Sequence, residues 1–574
     1  MKASRTAGTS AEHRVRHALV LAIIVALATA LRLAELGYWP LEGAEIFTLR
    51  DSLVTHDLRG SRPLLFFLNY HLIRPWFGLG ETALRVIPAI SGILAVPVLY
   101  YLVARIATPR AGVFAAFLVA VNAQLVTRSQ HGRYWTLVFL LSAAYTLAFY
   151  IGIRERKRAW IIGSLLLGLL AVLAHPTAGL LAAGIGLWLL VTYGAKADYR
   201  RLRKSQPARW VLAAGTLAAA LTTVWLIPLL QNWVATSHLK RLSGTALVLS
   251  QVDGLTAELS LVAVAGVLWT WQRDRSLAVF LAALVVVPTV FLVALSYGTA
   301  VSTAYLFPTA PMIFVAAALF LDRLTRLQVE PWTKWLLSGT VMAVLLASNV
   351  PGLWSQYRDG GRPDLRAAAV YLKGQVGPDD GIVSDQSRTL KHYLPEARIT
   401  PLRRRPEKVQ ASMDTVREAG NGKLWIVVQA SLRAGFKNHK LGLGPIADWV
   451  YDNCQLRHTV EQPRLDFRNN GLQIFECPVG GVRPGAGSAP VSRTGGVDVH
   501  DPPRDLLRRG LELTGMLALN PHQGDGSLSL ESVQKLLHAG ESGQGSSQRP
   551  GGLTRRQVAL QTAVAAGTLV QSPQ

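Results

Sequence analysis

Long apolar runs recur from Ala18 to Val350 and constrain the fold more than any other feature of the chain. An α-helix rises 1.5 Å per residue, so about 20 apolar residues cross the ~30 Å hydrocarbon layer of a bilayer. Half of the 574 residues are hydrophobic, only 16% are charged, and the mean hydropathy is +0.28. Soluble domains carry more charge than this. The sequence therefore predicts a polytopic α-helical membrane protein.

Eleven runs have the composition of spanning helices, although the third and the eighth are short. We interpret the first as an uncleaved helix, because "ATALRLAEL" is a poor signal-peptidase site. The fifth and sixth flank "AHPTAG". The others are Ala18 to Leu36, "ALRVIPAISGILAVPVLYYLVARI", "AGVFAAFLVAVNAQLV", Tyr134 to Ile153, "WVLAAGTLAAALTTVWLIPLL", "LVAVAGVLWTW", "LAVFLAALVVVPTVFLVAL", "YLFPTAPMIFVAAALFL" and "WLLSGTVMAVLLASNV".

Basic residues cluster in the loops between these runs. The loops after the even-numbered helices read "RIATPR", "RERKR", "KADYRRLRKSQPAR", "QRDR" and "DRLTRLQ". Cytoplasmic loops are enriched in Lys and Arg, so the pattern predicts a cytoplasmic N-terminus and an extracytoplasmic segment after Val350. These loops explain much of the net charge of +24. Nucleic-acid binding is the weaker explanation, because no soluble module has a basic stripe interleaved with aromatic residues. We expect a bacterial inner membrane; a eukaryotic chain would point to the endoplasmic reticulum.

Residues 351–478 have the pattern of a small extracytoplasmic α/β domain that follows the membrane domain of residues 1–350. "DLRAAAVYLKGQV" has helical spacing with Asp364 as its cap, and "KLWIVVQA" is typical of a buried strand. "CQLRHTVEQ" and "GLQIFEC" predict a hairpin with Cys454 and Cys477 at its far ends. The two cysteines either pair in an oxidising compartment or stay buried free thiols. Neither belongs to a CxxC or Cys/His cluster, so no zinc site is expected.

Residues 479–574 combine a Gly- and Pro-rich linker with a helix-loop-helix tail. "DGSLSLE" resembles half of an EF-hand loop with Gly526 at its turn. Three expected ligand positions then fall on Pro521, Gln523 and Ser532, which are poor ligands for calcium. We therefore interpret the tail as a degenerate helical pair and predict no metal site in it.

Two acids, Glu42 and Glu45, follow the first helix in "GYWPLEGAEIFTLRD". Solvated loop charge would explain them if they stood alone. Four further sequence features follow along the chain, and the predicted topology puts them on the same side of the membrane as the two acids. Together with the acids they favour a membrane-embedded active site. These features are "SRPLLFFLNYHLIRPWFGLGETALR", "SQHGRYW", "AHPTAGLL" and "YLFPTAPMIF".

This order of motifs resembles the GT-C superfamily of membrane glycosyltransferases, in particular its protein O-mannosyltransferases and lipid A aminoarabinose transferases. The resemblance covers about residues 15–350 and extends more weakly to residue 478. Family stretches resembling "PPLYY", "FG…ALR", "SQEARPY", "THY" and "RYLLPALP" are matched here by Pro63, Gly78, Arg85, Ser129, Gln130, Arg133, Tyr134, His175, Tyr305, Pro308 and Pro311.

The resemblance implies a sugar donor linked to polyprenyl phosphate and a lipid, protein or glycan acceptor. A carboxylate must take the proton of the acceptor hydroxyl, and Glu42 and Glu45 are the candidates. Cations must stabilise the phosphate that leaves, and an arginine fork suits this task. No cofactor is predicted, although a divalent metal remains open. The candidates for binding the donor phosphate and substrate are Arg62, Arg85, Arg133, Tyr134, His175 and Tyr305.

The sequence departs from the family pattern at the acids. If "GAEIFT" is aligned on the family's "DEAFT"-like motif, the usual Asp falls on Ala44 and Glu45 remains. A second alignment puts Glu42 at the acid position. The arginine expected before Tyr305 is Ala304. Both alignments stay open at the level of sequence.

Two other functions compete with glycosyl transfer. The departures favour a catalytically degenerate relative that binds the lipid or a glycan as an assembly or regulatory protein. A transporter is less favoured, because no internal repeat is evident and the apolar runs hold few charges.

Overall fold

The computed structural model describes most of the membrane part and a small sheet domain after it. The described residues are 3–54, 63–194, 244–297, 301–359, 362–402, 422–429, 450, 454–460 and 471–477. The chain divides into the units Met1–Gly481 and Val482–Gln574, and every described residue belongs to the first. Arg62, the seventh predicted helix and the predicted linker and tail of residues 479–574 lie outside the described residues. The boundaries at residues 350 and 478 stay predictions.

The apolar runs that fall on described residues form helices. Short 3₁₀ helices, such as Pro176–Gly179 and Thr303–Thr309, join some of them. The α-helices are α1 (Ala3–Leu33), α2 (Gly43–Val54), α3 (Pro63–Leu68), α4 (Arg74–Phe77), α5 (Glu81–Ile106), α6 (Pro109–Val121), α7 (Ala123–Ser129), α8 (Trp135–Glu155), α9 (Arg158–Ala174), α10 (Leu180–Leu189), α11 (Gly244–Leu255), α12 (Ala257–Trp271), α13 (Arg275–Ser296), α14 (Ala310–Leu324), α15 (Pro331–Ala347) and α16 (Val350–Asp359).

Six helical stretches of the described residues are long and apolar enough to cross a membrane, and eight are if each bent pair is one span. A polytopic membrane protein is therefore confirmed, whereas the count of eleven helices stays a prediction. The third predicted helix breaks into α6 and α7, which meet at 60°. The eighth lies in a second bent pair, α11 and α12, which meet at 97°.

A capping residue and a buried arginine explain the break between α6 and α7. The side chain of Asn122 accepts a hydrogen bond from the backbone N–H of Leu125 and so begins α7. The carbonyls that α6 leaves at its end accept hydrogen bonds from Arg32 of α1, at 2.8 Å for Val119 and 2.9 Å for Ala120. Arg32 is fully buried. Its guanidinium therefore satisfies backbone carbonyls that neither the helix nor the surrounding lipid could satisfy.

The helices pack around one apolar core to which α5, α6, α8 and α14 contribute most of the buried residues. Small residues bring some backbones close together. A Cβ placed on Gly266 of α12 would lie 2.0 Å from the carbonyl oxygen of Ala316 in α14. Only glycine fits such a contact, which is typical of packing between membrane helices.

The segment after α16 forms the predicted α/β domain. Helix α17 (Leu365–Lys373) begins at Asp364, whose side chain accepts a hydrogen bond from the N–H of Ala367 as predicted. Helix α18 (Ser387–Tyr393) follows the first strand of the sheet. The strands are β1 (Gly381–Ser384), β2 (Arg398–Pro401), β3 (Leu424–Gln429), β4 (Gln455–Val460) and β5 (Leu472–Cys477).

The five strands lie in the order β2-β1-β3-β5-β4. Strand β1 pairs in parallel with β2 and β3, whereas β5 runs antiparallel to β3 and β4. The predicted buried strand is β3, and the predicted hairpin is β4 and β5. A disulfide joins Cys454 to Cys477 across that hairpin. The disulfide therefore links the ends of β4 and β5 covalently.

Candidate active site

Arg85, near the start of α5, organises the segment that carries the two acids, here called the acid loop (residues 36–45). Its guanidinium donates to the carbonyls of Leu36 and Trp39 at 2.9 Å and of Pro40 at 3.0 Å. It also forms two bonds to the carboxylate of Glu45, at 2.8 and 3.0 Å. All five N–H donors of Arg85 are thus used within the protein. This geometry suits an arginine that shapes the loop.

Glu45, in the first turn of α2, is fully buried and surrounded by donors. Besides the two bonds from Arg85, it accepts from the backbone N–H of Gly132 at 2.6 Å and of Glu42 at 2.9 Å. Arg362, just before α17, donates to its Oε2 atom at 2.8 Å and is itself buried. The carboxylate is therefore saturated with hydrogen bonds.

The charge state of Glu45 follows from these contacts. Burial alone opposes the charged form, but the guanidiniums of Arg362 and Arg85 outweigh it and hold the pKa of Glu45 far below its usual range. A carboxylate that is ionised, buried and saturated has no free oxygen to receive a substrate proton. It is suited to positioning the loop.

Glu42 has a different environment, although it lies only three residues away. Its side chain is 52% exposed, and its Oε2 atom lies 2.9 Å from Nε2 of His131. This contact and the nearby charge of Arg362 outweigh partial burial and lower the pKa of Glu42 to about 2. Burial lowers the pKa of His131 despite the nearby acids, so the imidazole is neutral at pH 7. The result is an accessible carboxylate held by a neutral imidazole.

Arg133 and Tyr134 lie under the acid loop, where "SQHGRYW" enters α8. Arg133 donates to the carbonyl of Ala44 at 3.0 Å and to the hydroxyl of Thr48 at 3.1 Å, and its guanidinium stands over the ring of Tyr134. Both side chains are buried. Arg133 thus ties the start of α8 to α2, close to Glu45.

His175 and Tyr305 continue an aromatic stack below this layer. The ring of His175 is stacked on Tyr134 with centroids 4.9 Å apart, and it lies 5.3 Å from the ring of Tyr305. Its Nδ1 atom lies 2.7 Å from the hydroxyl of Thr177. The structure therefore brings Tyr134, His175 and Tyr305 together, as the motifs predicted, and Ala304 stands beside them.

The α/β domain contributes directly to the acid loop. The hydroxyl of Tyr393 accepts from the backbone N–H of Leu41 at 2.6 Å and donates to Glu81 at 2.8 Å. Arg362 holds Glu45, and Arg388 stands over the ring of Phe47. Residues of a domain that follows the described membrane helices therefore hold the acid loop from one side.

Sequence reasoning missed Arg362 and His131. Arg362 lies 317 residues from Glu45, and no local pattern marks its role. His131 stands in "SQHGRYW" where the family stretch "SQEARPY" has an acid, and this exchange is the signal that could have found it. Within the described parts of the chain, no group of three or more His, Cys, Asp or Glu side chains has the arrangement of a metal site.

Comparisons with known proteins agree with this architecture. Residues 61–227 match the family model described as dolichyl-phosphate-mannose-protein mannosyltransferase. The apo oligosaccharyltransferase of Archaeoglobus fulgidus matches at a TM-score of 0.52 with 14% identity, over 77% of this chain and 73% of that chain. No curated protein sequence matches the chain significantly.

Two further solved structures match at lower scores. ArnT from Cupriavidus metallidurans in the apo state has a TM-score of 0.47 with 15% identity, over 79% of this chain and 97% of that chain. AglB from Archaeoglobus fulgidus, in complex with an inhibitory peptide and a dolichol-phosphate, has a TM-score of 0.48 with 12% identity, over 80% of this chain and 74% of that chain.

The fold and the family-model match agree with each other. The chain has the fold of the GT-C superfamily of membrane glycosyltransferases, with a sheet-containing domain after the membrane helices. The resemblance drawn from the sequence motifs is confirmed at the level of this superfamily.

Proposed function

We propose that the chain is a glycosyltransferase that moves a sugar from a polyprenyl-phosphate donor to a hydroxyl acceptor. Transfer takes place on the membrane face that carries the acid loop and the α/β domain, which we assign as the extracytoplasmic face. The GT-C fold and the family-model description support this general role. The sugar and the choice among lipid, protein and glycan acceptors are set by contacts beyond the acid loop.

One observation carries the assignment of the base. Of the two candidate acids, Glu45 is fully buried and saturated by donors, whereas Glu42 is 52% exposed and held by His131. A general base must come within hydrogen-bond reach of the proton it takes. We therefore assign Glu42 as the base and Glu45 as the residue that positions the acid loop. This favours the alignment that puts Glu42 at the acid position.

The proposed reaction balances without a cofactor. Glu42 takes the proton of the acceptor hydroxyl while the acceptor oxygen bonds to the anomeric carbon. The bond between that carbon and the phosphate oxygen breaks, and polyprenyl phosphate leaves with the bonding electron pair. Because Arg85 uses all five donors on the acid loop and Arg133 bonds to Ala44 and Thr48, we propose that they position the loop and leave the phosphate to another cation.

The test compares Glu42→Gln with Glu45→Gln in purified full-length protein in lipid, with a panel of polyprenyl-phosphate sugars. We expect Glu42→Gln to lose turnover by about a hundredfold or more, the scale of general-base catalysis, while its unfolding temperature is unchanged. Glu45→Gln should lower both quantities. Full turnover in Glu42→Gln would remove this residue from the mechanism.

A degenerate relative that binds the lipid without transferring a sugar remains the second candidate. It is favoured by Ala304, which stands where the family pattern has an arginine, and by Ala44 if "GAEIFT" is aligned on the acidic motif. The same experiment separates the two functions. Saturable lipid binding without turnover on any donor would favour the degenerate relative.

A further inference from the structure

Two glutamines in the membrane part carry unsatisfied polar atoms. Gln251 of α11 is 7% exposed, and neither atom of its amide has a hydrogen-bond partner within the described residues. The Oε1 atom of Gln124 in α7 is likewise buried without a partner. An unsatisfied buried polar atom destabilises a fold by roughly 1–3 kcal/mol, so such atoms call for an explanation.

The two glutamines lie at one interface. A Cβ placed on Gly254 of α11 would come within 2.5 Å of Nε2 of Gln124, so this side chain lies directly against α11. Gln251 precedes Gly254 by three residues and therefore shares its face of the helix. Both amides thus belong to the contact between α7, the short arm of one broken span, and α11, part of the other.

Arg128 extends this polar interface toward the acid loop. It follows Gln124 by four residues on α7 and so lies on the same face of that helix. Its side chain is partly exposed, and among the described residues it has no hydrogen bond and no ion-pair partner. Arg128 precedes His131 by three residues, and Nε2 of His131 lies 2.9 Å from the carboxylate of Glu42, so α7 ends close to that acid. Unlike Arg85 and Arg133, this guanidinium keeps its donors for a ligand.

We propose that the polar cleft, defined by Gln124, Arg128 and Gln251, binds the phosphosugar headgroup of a lipid-linked donor. Arg128 holds the phosphate beside Glu42, and the two amides bind sugar hydroxyls deeper between α7 and α11. The inference rests on the proposed function and identifies Arg128 as the cation that binds the donor phosphate. An arginine fork bonds two phosphate oxygens at once, and primary amides pair with hydroxyls as both donor and acceptor.

The location favours a lipid-borne ligand. The helices α7 and α11 belong to bent pairs that are long and apolar enough for a membrane span, so we place the cleft at membrane depth. Polar groups at such depth are expensive and typically mark a ligand path. A phosphate attached to a membrane-embedded tail reaches this position without leaving the bilayer.

The experiment measures binding of undecaprenyl phosphate to the full chain in lipid nanodiscs, without turnover. Losing a charge-assisted bidentate contact should weaken binding of this probe about tenfold or more in Arg128→Gln. Arg74→Gln, an exposed arginine of α4, is the matched control and should bind like the wild type. Undecaprenol, which lacks the phosphate, should not distinguish Arg128→Gln from the wild type. Equal binding of undecaprenyl phosphate by Arg128→Gln and the wild type would overturn the role of Arg128.

The amides are tested through stability as well. Because Gln251 has no partner, Gln251→Leu should unfold at the same or a higher temperature and keep its affinity for undecaprenyl phosphate, which carries no sugar. A clear drop in unfolding temperature would show a structural amide and overturn its assignment to the sugar. If Arg128→Gln loses the lipid while Glu42→Gln keeps full turnover, the cleft stands and the proposed base fails.

Discussion

At the scale of single residues, the site separates two glutamates that the sequence presents as alternatives. Position in the chain does not distinguish Glu42 from Glu45, but burial does. The fully buried acid is balanced by the charges of two arginines, whereas the exposed acid contacts a neutral histidine and stays open to solvent. Ionised groups persist in the interior only when they are paired, so the buried acid is structural and the exposed one is available for chemistry.

His131 is expected to set the acid limb of activity. Its contact lowers the pKa of Glu42 to about 2 from an ordinary value of 4.5. In His131→Ala that pKa should rise toward 4.5, so the base becomes protonated at a higher pH and turnover is lost earlier as pH falls. A profile of kcat/KM against pH measures the shift. His392→Ala, an exposed histidine, is the control and should leave the profile in place; an unmoved limb in His131→Ala would contradict the role of the contact.

Arg362 is expected to matter for both stability and turnover. Removing one partner of a buried ion pair destabilises a protein by about 3–5 kcal/mol, and the loss here is reduced because Arg85 remains on Glu45. Arg362→Met should therefore lower the unfolding temperature. It should also reduce kcat, because Glu45 in the acid loop loses the hydrogen bond from Arg362. Lys373→Met, which removes an exposed cation at the end of α17, should change both quantities little. Equal effects of the two variants would speak against a specific role of Arg362.

At the scale of elements, the apolar runs predicted helices well but concealed where they break. The run "AGVFAAFLVAVNAQLV" has two polar positions near its end, Asn122 and Gln124, and a membrane helix tolerates a few such residues. The break depends on Arg32, which comes from another helix and satisfies the freed carbonyls. Such a contact between distant segments leaves no mark on the local pattern, so the sequence predicted a single span.

Replacing Arg32 should destabilise the broken span. Arg32→Leu leaves the carbonyls of Val119 and Ala120 without donors in a water-free environment, at roughly 1–3 kcal/mol for each. We expect the unfolding temperature in detergent to fall by several degrees. Arg110→Leu, an exposed arginine at the start of α6, is the control. A stable Arg32→Leu variant would show that other groups satisfy these carbonyls.

At the scale of the whole molecule, the membrane part and the α/β domain hold the acid loop together. Motif order and charge in the loops were enough to predict the superfamily fold and the segment that carries the acids. The contacts of Arg362 and Tyr393 with the loop were beyond prediction, because residues more than 300 positions apart meet there. Arg85 and Arg133 were predicted as phosphate ligands from the motifs and from the donor fork of arginine, whereas Arg85 bonds to the acid loop and Arg133 to Ala44 and Thr48.

The disulfide should couple the stability of the domain to activity. It closes a segment of 23 residues, for which chain entropy gives about 3 kcal/mol. Replacing Cys454 and Cys477 by Ser should make the α/β domain unfold before the membrane helices, and turnover should be lost together with it. Limited proteolysis and turnover measured on one temperature series test this. Turnover that persists after the domain is digested would show that the acid loop holds without it.

The distance along the chain between Glu45 and Arg362 also sets an order of events during synthesis. A ribosome completes the acid loop long before Arg362 and Tyr393 emerge, so for most of translation Glu45 has Arg85 but lacks its second guanidinium. The newly made membrane helices are thus inserted with an unfinished acid loop. The contacts of Glu45 are complete only when the α/β domain has been made and Arg362 has docked against the loop.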